Sequence, residues 1–345
     1  MARLFFAAHD SGGANLLAPV ARRCAAAGHV VRICAEGPAR RVWPDAETMV
    51  DPEAALGAFG ADIAVTGTSE FADLEHRIWR VARTLGVTSL AAIDAWMNLR
   101  QRFRPGPGGD AGQPDALCVI DAAMYRELRA PGWCEARLHI AGQPHLEYVA
   151  DEVRQRRIGK SESMRTVSFF SEPITGVGAA DRIGYQQFQV AALIAEALGP
   201  HGPLHFIVQP HPKEPSAPWR AWLRETVFPA SIEVALSTID TESLLVESAV
   251  ATSMASMVAI EAALTGMPVL AVQPHRRYCP NPAIDAMAEV LLVTDPSKLP
   301  AAAAALMAHP GRNAANKRFT GSTERFLKVI THELERTDKC RDIAS

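Results

Sequence analysis

Short apolar runs recur through the first part of the chain: RLFFAAH from position 3, HVVRICAE from 29, DIAVTG from 62, VTSLAAID from 87, ALCVID from 116 and RLHIAG from 137. They are continuous rather than alternating, as strands covered on both faces should be. Stretches with helical character, such as residues 14 to 27, lie between them. This pattern predicts parallel strands joined by crossover helices. Near Gly142 the rhythm pauses. Residues 147 to 165, EYVADEVRQRRIGKSESMR, are rich in charge and carry no strand pattern, which predicts a helix and a linker. The rhythm then restarts with TVSFFSE from 166, LHFIVQPHP from 204, IEVAL from 232, SAVATS from 248, PVLAVQ from 268 and EVLLVT from 289. Helices are expected over 185–198, 219–227, 257–265 and 313–335.

The expected fold class is therefore α/β, with two Rossmann-like domains in tandem whose parallel sheets face a central cleft. The expected boundaries are 1–150 for the first domain, 151–165 for the linker and 166–345 for the second. The last helix is amphipathic and fits against either half. The Pro/Gly-rich RPGPGGDAGQPD at 104–115 reads as a surface loop.

Composition narrows the partners. With 345 residues and 48% hydrophobic content, the chain can bury a large core, and the length favours two domains. Lys and Arg total 35 against 38 Asp and Glu, a net charge of −3, which offers no basic field to nucleic acid or an anionic membrane. The opening MARLFFAAHDSGG breaks at Asp10, too early for a signal peptide or a membrane span, so a first strand in a soluble, cytoplasmic protein is expected. The six cysteines, Cys24, Cys34, Cys118, Cys134, Cys279 and Cys340, form no CxxC and no metal-type spacing with His. Neither a zinc site nor a disulfide framework is expected, and no cofactor is implied.

Open parallel sheets bind ligands beyond the carboxyl ends of their strands, where helix amino ends present N–H groups. Five turns qualify. In VATSMASMVAIEAALTGMPVLAV, Ser253 and Ser256 stand at a strand end and helix start, and Glu261 follows on an Ala-rich helix. The serines suit a phosphate, and Glu261 a ribose diol. The alternative is an ordinary Ser cap on a helix packed against the sheet. In FIVQPHPKE, His211 and Lys213 follow a strand and could offset phosphate charge, or lie on a plain surface loop. In AAHDSGGANLL, His9 and Asp10 end a strand, Gly12 and Gly13 permit close approach without forming the dinucleotide fingerprint, and the alternative for Asp10 is an ordinary helix cap. In AAIDAWMNLRQRF, Asp94 could act as a general base, with Asn98 and Arg100 beyond it; it could equally cap a helix or pair with Arg102. In FFSEPITGVG, Ser171 and Glu172 begin a loop that is either a ligand loop or a plain turn.

The tandem halves and the Ser-x-x-Ser…Glu-Ala-x-x-x-Gly-x-Pro-Val turn resemble the GT-B glycosyltransferases and the related non-hydrolysing UDP-N-acetylglucosamine 2-epimerases. The resemblance covers most of the chain. Stretches that correspond to successive epimerase motifs are Thr66-Gly67-Thr68, Asp94 to Arg100, Ala141-Gly142-Gln143-Pro144, Gln209-Pro210-His211-Pro212 and Ser253 to Glu261. Two departures count against epimerase chemistry: the acid of Gly-Asp-Thr is missing, and SMAS replaces Ser-Gly-Gly. The His-Pro pair with a downstream Ser turn is similar to bacterial sialyltransferases and capsule transferases. This likeness implies that His211, Ser253 and Ser256 hold donor phosphates and that Glu261 binds ribose, while Asp94, His9 and Asp10 compete for the base role. The expectation is a metal-independent glycosyltransferase in surface polysaccharide or glycoconjugate synthesis. It would take a UDP-, CMP- or other nucleotide-sugar donor and a small-molecule, glycan or lipid-linked acceptor, with a homodimer among its possible states. The alternatives are a nucleotide-sugar epimerase or hydrolase, and a non-catalytic nucleotide-sugar-binding protein.

Overall fold

The structure, a computed structural model, describes residues 1–46, 51–70, 72–103, 112–130, 135–158, 166–308 and 318–344. Residues 104–111 of the Pro/Gly-rich stretch, 159–165 of the expected linker and 313–317 of the expected last helix lie outside it, as does Cys134. The chain divides into two units, Met1–Tyr148 with Arg318–Ser345, and Val149–Lys317.

The first unit runs β1 (Arg3–Ala8), α1 (Ser11–Ala26), β2 (Val30–Ala35), α2 (Pro52–Phe59), β3 (Ile63–Thr66), α3 (Leu74–Leu85), β4 (Thr88–Ala92), β5 (Ala116–Val119), α4 (Ala122–Leu128), β6 (Arg137–Ile140) and the start of α5 (Pro144–Arg157). Its six strands are all parallel, in the order β2-β1-β3-β4-β5-β6. Helices cover both faces, so the central strands have no polar side: Leu4 to Ala8 and Ile63 to Val65 are fully buried.

The second unit continues with β7 (Thr166–Phe170), α6 (Ala180–Ile183), α7 (Gln187–Leu198), β8 (Leu204–Gln209), α8 (Ser216–Glu225), β9 (Ile232–Leu236), α9 (Thr241–Glu247), β10 (Val250–Ser253), α10 (Met257–Leu264), β11 (Val269–Val272), α11 (Pro282–Ala286), β12 (Val290–Val293) and α12 (Leu299–Ala308). Its parallel order is β12-β11-β10-β7-β8-β9. Phe169, Phe206 and Trp219 anchor a separate core, so each unit has its own apolar centre.

The closing helix α13 (Ser322–Ala344) departs from the sequence expectation twice. It starts nine residues later than the expected 313, because Gly321 at φ 77 closes the preceding turn. It also belongs to the first unit, although 166–345 was the expected second domain. Phe326, Val329 and Ile330 join the cluster of Leu4, Phe6 and Leu17. Glu333, fully buried, takes Arg137 Nη2 at 2.5 Å and His139 Nε2 at 2.9 Å on edge strand β6. Burial by itself would push the Glu333 carboxyl up, but these donors outweigh it and hold it down at about 2. Among the described residues, no helix is long and apolar enough to cross a membrane.

Candidate functional site

In a doubly wound sheet the ligand position lies where strand order reverses. In the first unit this is between β1 and β3. His9 and Asp10 leave β1 there, with His9 Nδ1 3.0 Å from Asp10 Oδ1 and both side chains partly open to solvent. The other edge of the imidazole packs against Gly37, where a Cβ would run into His9 Nε2. The approach that Gly12 and Gly13 permit is taken up by protein. A Cβ on Gly13 would stand 3.1 Å from the Gly67 Cα, and one on Gly12 would run into Asp94 Oδ2.

Asp94 itself is spoken for. Its Oδ1 accepts from Arg102 Nη1 at 2.5 Å, and the same nitrogen donates to Thr68 O and Oγ1 at 2.9 Å each. Arg102 is buried. Of the readings open for Asp94, the Arg102 partnership is the one observed. Asn98, in the left-handed region at φ 56, donates to Glu70 Oε2 at 2.8 Å, and Arg100 is exposed on the same turn. Gln143, from the Gly-Gln-Pro stretch, donates Nε2 to Asp94 O at 2.9 Å, and its Oε1 accepts His145 N at 2.8 Å.

Glu75 carries no signal in the sequence, where an acid in the first turn of a helix is ordinary. In the fold it is sealed under the β1 turn. Its Oε1 accepts His9 N at 3.0 Å and the Ser69 hydroxyl at 2.8 Å, while Oε2 is buried without a partner. Burial pushes its carboxyl up, and those two donors offset only part of the shift.

In the second unit the reversal lies between β7 and β10, and Glu172, Ser253 and Ser256 meet there. Ser253 is fully buried; its hydroxyl donates to Phe170 O at 3.1 Å and receives Ser256 N at 3.4 Å. Ser256 caps α10, its Oγ accepting Val258 N at 3.2 Å. Both serines thus serve the strand-to-helix turn, which is the cap alternative read from the sequence. Glu261 is buried on α10. Glu172 Oε2 accepts Ala255 N at 2.6 Å, directly before the cap. Burial pushes the Glu172 carboxyl up to about 7, with the Ala255 N–H lowering it and Glu214 raising it. Ser171, beside it, is buried and bonded through its N–H to Gln209 O.

The His-Pro turn follows β8. Glu214 accepts His211 N at 2.7 Å, and its other oxygen accepts Gln187 Nε2 and Trp219 Nε1. Gln187 also donates to Thr175 Oγ1 at 2.7 Å, so the loops after β7 and β8 are tied together. His211 Nδ1 accepts Lys213 N at 3.0 Å, which puts the proton on Nε2. Burial, with Lys213 adding to it, lowers His211 to about 4. At neutral pH it is an uncharged N–H donor. Lys213 is exposed and supplies the positive charge of this turn. Beyond β11, Gln273 and Asn281 hold the Met254 and Ala255 carbonyls at 2.8 and 3.0 Å, fixing the turn from the other side. Among the described residues no three His, Cys, Asp or Glu gather as a metal-binding group.

No family model and no curated protein sequence matches the chain. Solved structures do. The UDP-GlcNAc 2-epimerase from Methanocaldococcus jannaschii superposes with a TM-score of 0.67 at 14% identity, over 96% of this chain and 99% of its own. The UDP-GlcNAc 2-epimerase from Neisseria meningitidis bound to UDP-GlcNAc gives 0.61 at 12% identity, over 94% and 100%. MurG from Acinetobacter baumannii gives 0.59 at 13% identity, over 96% and 100%. The chain has the GT-B fold, two Rossmann-like units in tandem. At these identities the likeness speaks for the fold alone.

Proposed function

We propose that the chain is a glycosyltransferase of GT-B type whose second unit binds a nucleotide-sugar donor. The observation that carries this reading is the turn between β10 and α10. It stands at the reversal of a sheet ordered β12-β11-β10-β7-β8-β9, and an anionic group, Glu172, already sits on its Ala255 N–H. An N–H that holds a carboxylate can hold a phosphate. His211 adds a neutral Nε2 donor and Lys213 a charge from the next loop, so no metal is required in the proposal. Glu261 remains the candidate for the ribose. Ser253 and Ser256 shape the turn, with their hydroxyls engaged by backbone.

For the acceptor we place the base at His9, with Asp10 as the residue that orients it, because Asp94 is committed to Arg102. Proton abstraction by the His9 imidazole would leave an imidazolium stabilised by the Asp10 carboxylate. The test is a thermal-shift and calorimetric screen against UDP-, CMP-, CDP-, GDP- and dTDP-sugars, since a ligand that binds only the folded state raises its melting temperature. No shift with any of them would sink the reading. The epimerase neighbours keep a second reading alive, a nucleotide-sugar epimerase or hydrolase. Donor turnover without acceptor would select it, and binding without any turnover would select a non-catalytic binding protein.

A further inference from the structure

The best-placed acid in the second unit lies where a ligand's negative charge would go. Glu172 leaves β7 and puts Oε2 2.6 Å from Ala255 N, one residue before the Ser256 cap of the eight-residue helix α10. Protein surrounds the carboxyl, while the residue as a whole is half-buried. No cation pairs with it among the described residues. The charged group facing it from the β8 loop is another acid, Glu214, which is occupied by His211 N, Gln187 and Trp219. From the segment before α7, Tyr185 brings a hydroxyl that is buried, has no hydrogen-bond partner and interacts electrostatically with Glu172, Arg276 and Cys279. Arg276 is itself clamped by Asp285 through two bonds of 2.7 and 2.6 Å. A buried hydroxyl without an acceptor thus interacts electrostatically with a carboxylate that has no cation partner among the described residues.

We infer that Glu172 is a built-in anion at the amino end of α10, and that a ligand phosphate binds there in competition with its ionised form. Two anions cannot share one N–H and one desolvated site at small cost. Binding of a phosphate would thus favour the neutral acid, which takes up a proton, swings from acceptor to donor, and leaves Ala255 N–H and the Tyr185 hydroxyl for the ligand. Affinity should rise as pH falls through the Glu172 transition near 7. This inference rests on the nucleotide reading of the second unit and adds a residue that selects for conditions and for ligand charge.

The experiment is isothermal titration of wild type and Glu172→Gln with UDP-glucose, whose diphosphate diester does not titrate near neutrality, and with inorganic sulfate as a base-free anion, at pH 6 and pH 8. For wild type, affinity should be about tenfold weaker at pH 8 than at pH 6, following the neutral fraction of the acid. For Glu172→Gln it should be nearly independent of pH and about tenfold tighter than wild type at pH 8. Wild type titrated at pH 7 in two buffers of different ionisation enthalpy should take up about half a proton per anion, a readout that needs no variant to fold. Equal affinities of both proteins at both pH values, or no proton uptake, would overturn the inference and leave the nucleotide reading standing. Sulfate that fails to bind Glu172→Gln at 0.1 M order would overturn it as well. Sulfate binding in the expected pattern with no binding by UDP-glucose or any other nucleotide sugar would support the inference and overturn the nucleotide reading.

Discussion

The two units solve the same topological position in opposite ways. Each has a parallel sheet that reverses order beside its first strand, and each plants a glutamate there with a raised carboxyl. In the first unit Glu75 comes up from α3 and is sealed: His9 N and Ser69 take one oxygen, and Gly13 and Gly67 bring their backbones together above the reversal. In the second unit Glu172 comes down from the β7 loop onto the Ala255 N–H just before the Ser256-capped helix, and the residue as a whole is half-buried. A carboxylate that closes a turn and one that occupies a ligand-type N–H look alike in a sequence. The difference is whether the group's partners are other fixed parts of the fold or a donor that a ligand could claim.

The largest effect should come from the open edge of the first unit. Replacing His9 with Ala is expected to lower acceptor-dependent turnover by roughly 10²–10⁴-fold, the usual share of a general base, while nucleotide affinity stays unchanged. Turnover that survives this change would remove His9 from the base role and erase the proposed contrast between acceptor chemistry in the first unit and donor binding in the second.

Arg102→Ala attacks the closed part of the same unit. It strands Asp94 and two acceptors on Thr68, and the cost should be about 3 kcal/mol in urea unfolding, at the low end for a broken buried pair because Asp94 keeps some exposure. Donor affinity should not move. A loss of donor affinity with unchanged stability would reverse the assignment of Asp94 and Arg102 as structural.

In the second unit, His211→Ala should weaken nucleotide binding by about 2 kcal/mol, the loss of a hydrogen bond to a charged group. Ser253→Ala sharpens the point from the other direction. Its hydroxyl serves Phe170 O and Ser256 N, so it should lower stability by about 1 kcal/mol in chemical denaturation and change affinity little. The reverse result in a calorimetric titration of the pair would return the phosphate contact to Ser253.

The gentlest test is a change of slope. A glutamate whose folded value is raised contributes stability below the usual glutamate range and loses it as pH climbs through the raised value. Glu75 and Glu172 should both make wild type less stable on the alkaline side, with the Glu172 share fading between pH 4.5 and about 7. Glu75→Gln should flatten part of that decline, read as melting temperature against pH, without changing the pH dependence of nucleotide binding. If it changed binding as Glu172→Gln is expected to, the two switch points would not differ in the way described.

Strand positions were set by local sequence. Each of the twelve apolar runs contains one strand, and in the central ones, buried on both faces, continuous apolar residues and little else are needed. The Ser256 cap was equally local, since its Oγ reaches only two residues ahead to Val258 N. What only the tertiary structure decided involves partners far apart in the chain. Periodicity marked the apolar face of α13 and left its host open; the choice fell to the core of β1 and α1 and to Arg137 and His139, more than 190 positions away. Asp94 met Arg102 through a turn whose shape also depends on Thr68. Glu75 reaches His9 across 66 positions, and Glu172 reaches Ala255 across 83. Burial and charge compensation depend on what surrounds a group in space, and so whether an acid closes a turn or guards a helix end is settled only when strands distant in sequence lie side by side.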